Sequence, residues 1–102
     1  MKVAVVWEAH FGPDNANQCQ MIIKRIWNNM TKCAGYVDHE TIADVGDPGH
    51  VVVISHWSSR EAADRIRDEY SQHPNAVEAN RLSLEPRRRI VGEIVDWAAK
   101  AA

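Results

Sequence analysis

Five histidines, two alternating carboxylates and four tryptophans are the residues of this 102-residue chain whose types could do chemistry. An imidazole changes charge near physiological pH, so one histidine placed over a pocket can accept a substrate proton. His73, at a His-Pro step that interrupts a helical pattern, and His10, at the end of the first apolar stretch, are the candidates for that role. The plainer alternative for each is an exposed or capping ring. Asp38 and Glu40 alternate along an extended stretch with Tyr36 and so are expected to share one face of a strand with it. A carboxylate turned into a cavity rises in pKa and can act as a general base near neutrality, whereas at a wet sheet edge it only solubilises. Trp7 and Trp57 offer an aromatic wall for a flat, polycyclic ligand, or else core and interface packing. Trp27, beside a helical stripe, and Trp97, in the tail, read as packing anchors outside any site.

Other chemistries lack their residues. His10, His39, His50, His56 and His73 are scattered without H-x-x-x-H or H-E-x-x-H spacing, so no metal site is expected. Cys19 and Cys33 lie outside any C-x-x-C arrangement and read as reduced structural thiols. There is no Gly-rich phosphate loop, no dinucleotide fingerprint and no G-x-S-x-G elbow, so no cofactor is expected. With 12 basic and 14 acidic residues the net charge is −2, which gives no global pull toward nucleic acid or an anionic membrane. The run Arg87-Arg88-Arg89 reads as a solvated strand entry, not a phosphate-binding patch. The short apolar start, ended by Glu8 and His10, is below the length of a signal core or a membrane span, and a cytoplasmic location is expected.

The elements that must position these residues follow from periodicity. Val3 to Ala9 is rich in β-branched residues and reads as a strand, broken by Gly12-Pro13-Asp14. From about Asn15 to Met30, Cys19, Ile22, Ile23, Ile26 and Met30 recur at helical spacing. Tyr36 to Ile42 and Val51 to Trp57 are strands around the turn cluster Val45 to Gly49, the pattern of an antiparallel hairpin. Ser58 and Glu61 have capping-box spacing and open a helix with the stripe Ala62, Ala63, Ile66 and Tyr70. His73-Pro74 stops it, a short helix over Asn75 to Leu82 follows, and Arg89 to Val95 is a fourth strand.

This β-α-β-β-α-β order is the α+β, ferredoxin-like plan: a four-stranded antiparallel sheet with its helices on one face. A single domain is expected over residues 1–95, with 96–102 as a C-terminal tail. Two strands, Val3 to Trp7 and Val51 to Ile54, are apolar at nearly every position, although a strand with one wet face should alternate. Exposing those side chains would forfeit roughly 1.5 to 3 kcal/mol each. A second copy packed face to face removes that cost, so a homodimeric α/β barrel is expected; a monomer with an exposed sheet patch is the alternative.

The stretch Val51-Val52-Val53-Ile54-Ser55-His56-Trp57-Ser58-Ser59-Arg60-Glu61-Ala62-Ala63 resembles the strand-to-helix signature of the antibiotic biosynthesis monooxygenase superfamily. The proline-flanked start of the first helix and the Gly35-Tyr36 opening of strand two fit the same pattern. The resemblance implies a dimeric α+β barrel with a pocket between sheet and helices in each protomer. It also implies that Trp57, matching the tryptophan that closes the third strand, lines that pocket. Val53, Ser55 and Trp57 share a strand face, and with Trp7 and Tyr36 they are the expected substrate contacts. Quinone-forming members carry an Asn and a Tyr where this chain has Val53 and Ala63, and haem-degrading members a Trp and a His near Ile66 and Ala76. The function implied is a cofactor-independent monooxygenase acting on a small aromatic or polyketide-like ligand. The alternatives are an isomerase or cyclase using one carboxylate or histidine as base, and a non-catalytic small-ligand-binding dimer.

Overall fold

The computed structural model describes residues 2–100. Strand β1 (Val3–His10) leads through a short 3-10 turn (Pro13–Asn15) into helix α1 (Ala16–Met30). The hairpin β2 (Tyr36–Asp44) and β3 (Asp47–Trp57) follows. Helices α2 (Arg60–Tyr70) and α3 (Pro74–Leu82) then precede β4 (Arg88–Glu93). The four strands form one antiparallel sheet in the order β2-β3-β1-β4, with the two strands that carry the apolar runs Val3 to Trp7 and Val51 to Ile54 at its centre. This is the expected α+β, ferredoxin-like architecture.

The helices cover one sheet face. Val3, Val5, Trp7 and Ala9 of β1 and Val51, Val53, Ser55 and Trp57 of β3 are buried under them, while the residues between them are only half-buried. From α1 the expected stripe Cys19, Ile22, Ile23, Ile26 and Met30 packs onto this layer, joined by Trp27. The opposite face is open. Its middle is apolar, built from Val6, Val52, Ile54 and the more exposed Ile42 and Ile90. Histidine–carboxylate pairs rim it: His50 Nε2 donates to Glu8 Oε2 (2.6 Å), His10 Nε2 to Asp47 Oδ2 (2.6 Å), and His56 bonds Asp38.

Local boundaries differ from expectation where polar side chains or glycines decide them. The hairpin turn is tighter than the cluster Val45 to Gly49: Gly46 N–H donates to Asp44 Oδ1 (2.8 Å), and the β3 ladder already begins at Asp47. The cap of α2 is Ser59, whose Oγ accepts from Ala62 N–H (3.1 Å), because Ser58 is held by its own amide on Gly35 O (2.8 Å). Gly35 sits at φ +87, and a Cβ there would fall 2.5 Å from the Ala62 Cβ, so this crossing requires glycine. Strand β4 ends at Glu93 and leaves Ile94 and Val95 beyond the ladder. A bulge between Tyr36 and Asp38 shifts the phase of β2, and this is the difference with most consequence.

Candidate active site

Between the helix-covered sheet face and the helices lies a cleft of about 70 Å³. The strands place Val5, Trp7 and Arg89 on its floor, α1 contributes Ile26, Trp27 and Met30, and α2 and α3 close it with Ile66, Tyr70, Ala76 and Ala79. Arg67, Ser71 and Arg87 complete the lining. The two indoles of Trp7 and Trp27 are nine-tenths or more buried and border the same space. Two aromatic faces in one apolar cleft favour a flat, unsaturated ligand. The volume is about half that of a cavity that takes benzene, so a polycyclic ligand must part the side chains at the rim.

Arg89 gives the cleft its charge. Pairing with Trp7 across β1 and β4 turns it toward the helices, where Nη2 donates to Ala63 O (3.0 Å). Burial, with the Arg67 guanidinium nearby, pushes its pKa below the usual arginine value. Among the described residues no carboxylate lies within ion-pair distance of it. Three or more of its N–H donors therefore remain for a ligand. The Arg87-Arg88-Arg89 run is thus not uniformly a solvated strand entry: Arg88 is exposed on the open face beside Glu8, while Arg87 and Arg89 border the cleft.

The expected site residues are spread over three places. Trp7 borders the cleft, and so does Trp27, whose place beside the helical stripe suggests packing alone. Trp57, Ser55 and Val53 are fully buried in the core, with Trp57 Nε1–H donating to Ser55 Oγ (2.9 Å), and they are not among the cleft's lining. Tyr36 packs edge-on against Trp57 at 5.7 Å and its hydroxyl lies 2.8 Å from His39 Nδ1, again beside the cleft and not in it. Burial lowers the pKa of His39 and so favours its neutral ring in this bond.

The bulge removes Asp38 and Glu40 from the face they were expected to share with Tyr36. They stand opposite His56 and Ile54 on the open face and are exposed, whereas Tyr36, His39 and Thr41 take the helix-covered side. His10 also lies away from the cleft, on Asp47. His73 caps α3: its Nδ1 accepts from Asn75 N–H (3.2 Å), and its ring stacks on the cleft residue Tyr70 at 5.5 Å. A neutral imidazole has one acceptor nitrogen, and in His73 the cap occupies it. The lining holds no carboxylate and no imidazole. Tyr70 has its pKa raised, by burial first and then by the neighbouring Cys33 thiol, so it is a phenol at neutral pH. Among the described residues no group of three or more His, Cys, Asp or Glu is placed to hold a metal, and no helix is long and apolar enough to cross a membrane.

No protein-family model and no curated protein matches the sequence. Solved structures do match. An asparagine-to-alanine mutant of SnoaB, a cofactor-independent oxygenase from Streptomyces nogalater, superposes with a TM-score of 0.83 at 15% identity, over 97% of this chain and 98% of that one. Rv0793 from Mycobacterium tuberculosis gives 0.78 at 18% identity, over 97% and 100%. An antibiotic biosynthesis monooxygenase gives 0.76 at 15% identity, over 92% and 99%. The chain has the fold of the antibiotic biosynthesis monooxygenases, along nearly its whole length.

Proposed function

We propose that the protein is a cofactor-independent monooxygenase that oxidises a small aromatic or polyketide-like molecule held between Trp7 and Trp27. The observation that carries this reading is Arg89, a part-buried guanidinium with no carboxylate at ion-pair distance among the described residues, at the floor of a largely apolar cleft. A fixed cation in a dry cleft stabilises charge that develops on a bound ligand. A ring methylene flanked by carbonyl and phenol groups loses a proton to solvent to give a delocalised anion, and Arg89 holds the oxygen on which that charge rests. The anion transfers one electron to dioxygen, and the resulting radical and superoxide combine to a peroxide at the ring carbon. The peroxide anion takes up a proton from solvent; loss of the remaining ring proton then forms the carbonyl as the O–O bond breaks, and the departing hydroxide takes up a second proton to become water. In balance, one methylene and one dioxygen give one ketone and one water. The fold shared with SnoaB, itself a cofactor-independent oxygenase, supports the same reading.

A lining without carboxylate or imidazole weighs against an isomerase or cyclase that needs a protein base, and leaves ligand binding without turnover as the second reading. Oxygen uptake with a hydroxylated anthrone separates the two. Oxygen consumed in equal amount to ketone formed supports the oxygenase; saturable binding with uptake no faster than in buffer supports the binding protein.

The functional unit is a homodimer joined through the open sheet face. Val6, Val52 and Ile54 lie at its centre with Ile90 and Ile42 beside them, and Ile90 is 64% and Ile42 43% exposed in the single chain. Covering them with a second copy closes a barrel and leaves each cleft on the outer, helix side.

A further inference from the structure

We infer that the ligand carries a carboxylate in addition to its aromatic body, and that Arg67 and Arg87 receive this group at the rim of the cleft. The inference rests on the cleft reading above and adds a substrate class to it. Arg67, Arg87 and Arg89 all border the cleft, and the first and third also border a wider polar groove on which Glu61, Asp64 and Glu93 lie as well. The guanidinia are close enough that Arg67 and Arg87 both depress the Arg89 pKa. Three like charges around one opening are costly unless anions answer them. The answer inside the chain is partial. Arg67 Nε is 3.1 Å from Asp68 Oδ1, on the solvent side, and Arg87 Nη1 donates to the neutral Asn80 Oδ1 (3.2 Å). Asp64, the other acid that Arg89 senses, lies 3.7 Å from Arg60 Nε. Each of Arg67 and Arg87 keeps free N–H donors in the planar fork that fits a carboxylate with two parallel hydrogen bonds.

Apart from Ser71 and the Tyr70 hydroxyl the remaining walls are apolar and none is cationic, so the charged group of an amphiphilic ligand has one end of the cleft to occupy. Arg89 lies deeper and serves the ring oxygen; the two rim arginines read the carboxylate. A neutral ligand of the same shape fills the apolar walls and leaves the rim charges unanswered.

The test uses the intact protein and a matched pair of probes, anthraquinone-2-carboxylate and anthraquinone-2-carboxamide. Quenching of the cleft tryptophans reads their binding at pH 7.5. The acid is expected to bind about tenfold more tightly than the amide, with the advantage shrinking as salt is raised. Arg67→Gln and Arg87→Gln, both at rim positions and not in the core, are each expected to remove most of that advantage, the acid losing far more affinity than the amide. Equal binding of the two probes by the unaltered protein would overturn the carboxylate subsite and leave the apolar cleft standing. An acid preference untouched by both substitutions would overturn the assignment to these arginines. If neither probe quenched the tryptophans, the cleft reading itself would fail, and this inference with it.

Discussion

Trp7 and Arg89 are cross-strand partners on β1 and β4, so the aromatic wall and the cation of the cleft are fixed side by side by the backbone ladder. Side chains directly opposite on one sheet face stand a few ångströms apart whatever their own flexibility. A flat ligand lying against the Trp7 indole therefore has its edge within reach of the guanidinium. Arg89→Gln is expected to lower the rate of oxygen uptake by about 10²–10³-fold, the range for losing one preorganised charge-stabilising donor. Arg89→Lys keeps the charge but loses the fork and should recover only part of that loss. Equal rates for all three forms would remove Arg89 from the reaction.

His73 tests whether an imidazole near the cleft is a base or only a cap. Asparagine caps helices well, so His73→Asn should preserve the α3 start and leave both stability and turnover unchanged within about twofold. His73→Ala should lose about 1 kcal/mol of stability through the missing cap. A collapse of turnover in His73→Asn, with its melting temperature intact, would identify His73 as the proton acceptor.

The pH dependence has two histidines of opposite sign. Hydrogen bonds first to Glu8 and then to Asp44 raise the pKa of His50 above its ordinary 6.5. Its stabilising contribution is fully present below that ordinary value and is lost as pH rises through the raised, folded value. Burial lowers the pKa of His39, so the folded state binds fewer protons there than the unfolded chain and loses stability as pH falls below 6.5. Imidazole proton resonances followed through a titration should show His50 titrating at higher pH than His39. Urea midpoints should fall less between pH 6 and 8 in His50→Gln than in the unaltered chain. The reverse order of titration would contradict both environments.

The open face predicts the oligomer. Light scattering at micromolar concentration should give twice the 11.5 kDa chain mass. Ile54→Asp, which puts a charge at the centre of the face beside Val6 and Glu40, should give the single-chain mass with an unchanged circular dichroism spectrum. A single-chain mass for the unaltered protein would remove the two-chain barrel.

Much of the fold is legible in the sequence because its strands and helices are strongly periodic. The uniform apolarity of Val3 to Trp7 and Val51 to Ile54 marks central strands, and the α1 stripe packs as its spacing requires. The site is less legible, and the reasons are local. No residue around Val37 announces the bulge that turns Asp38 and Glu40 to the open face, and a one-residue shift of phase moves every later side chain. Trp27 could have been found: it stands four residues after Ile23 and three before Met30, within the buried stripe. Arg89 could also have been found, since strand alternation puts it on the face of Val91, but three consecutive arginines look like a solvated run. Trp57 satisfies the resemblance in position and still packs as core, because its indole N–H is answered by Ser55 beneath the helices.

Oxygen transfer within the protein's own cleft is decided by labelled dioxygen. With a hydroxylated anthrone under ¹⁸O₂, mass spectrometry of the ketone should show one ¹⁸O atom incorporated at a rate that depends on protein concentration and is lost in Arg89→Gln. Ketone formed no faster than in buffer, or carrying only oxygen from water, would contradict it.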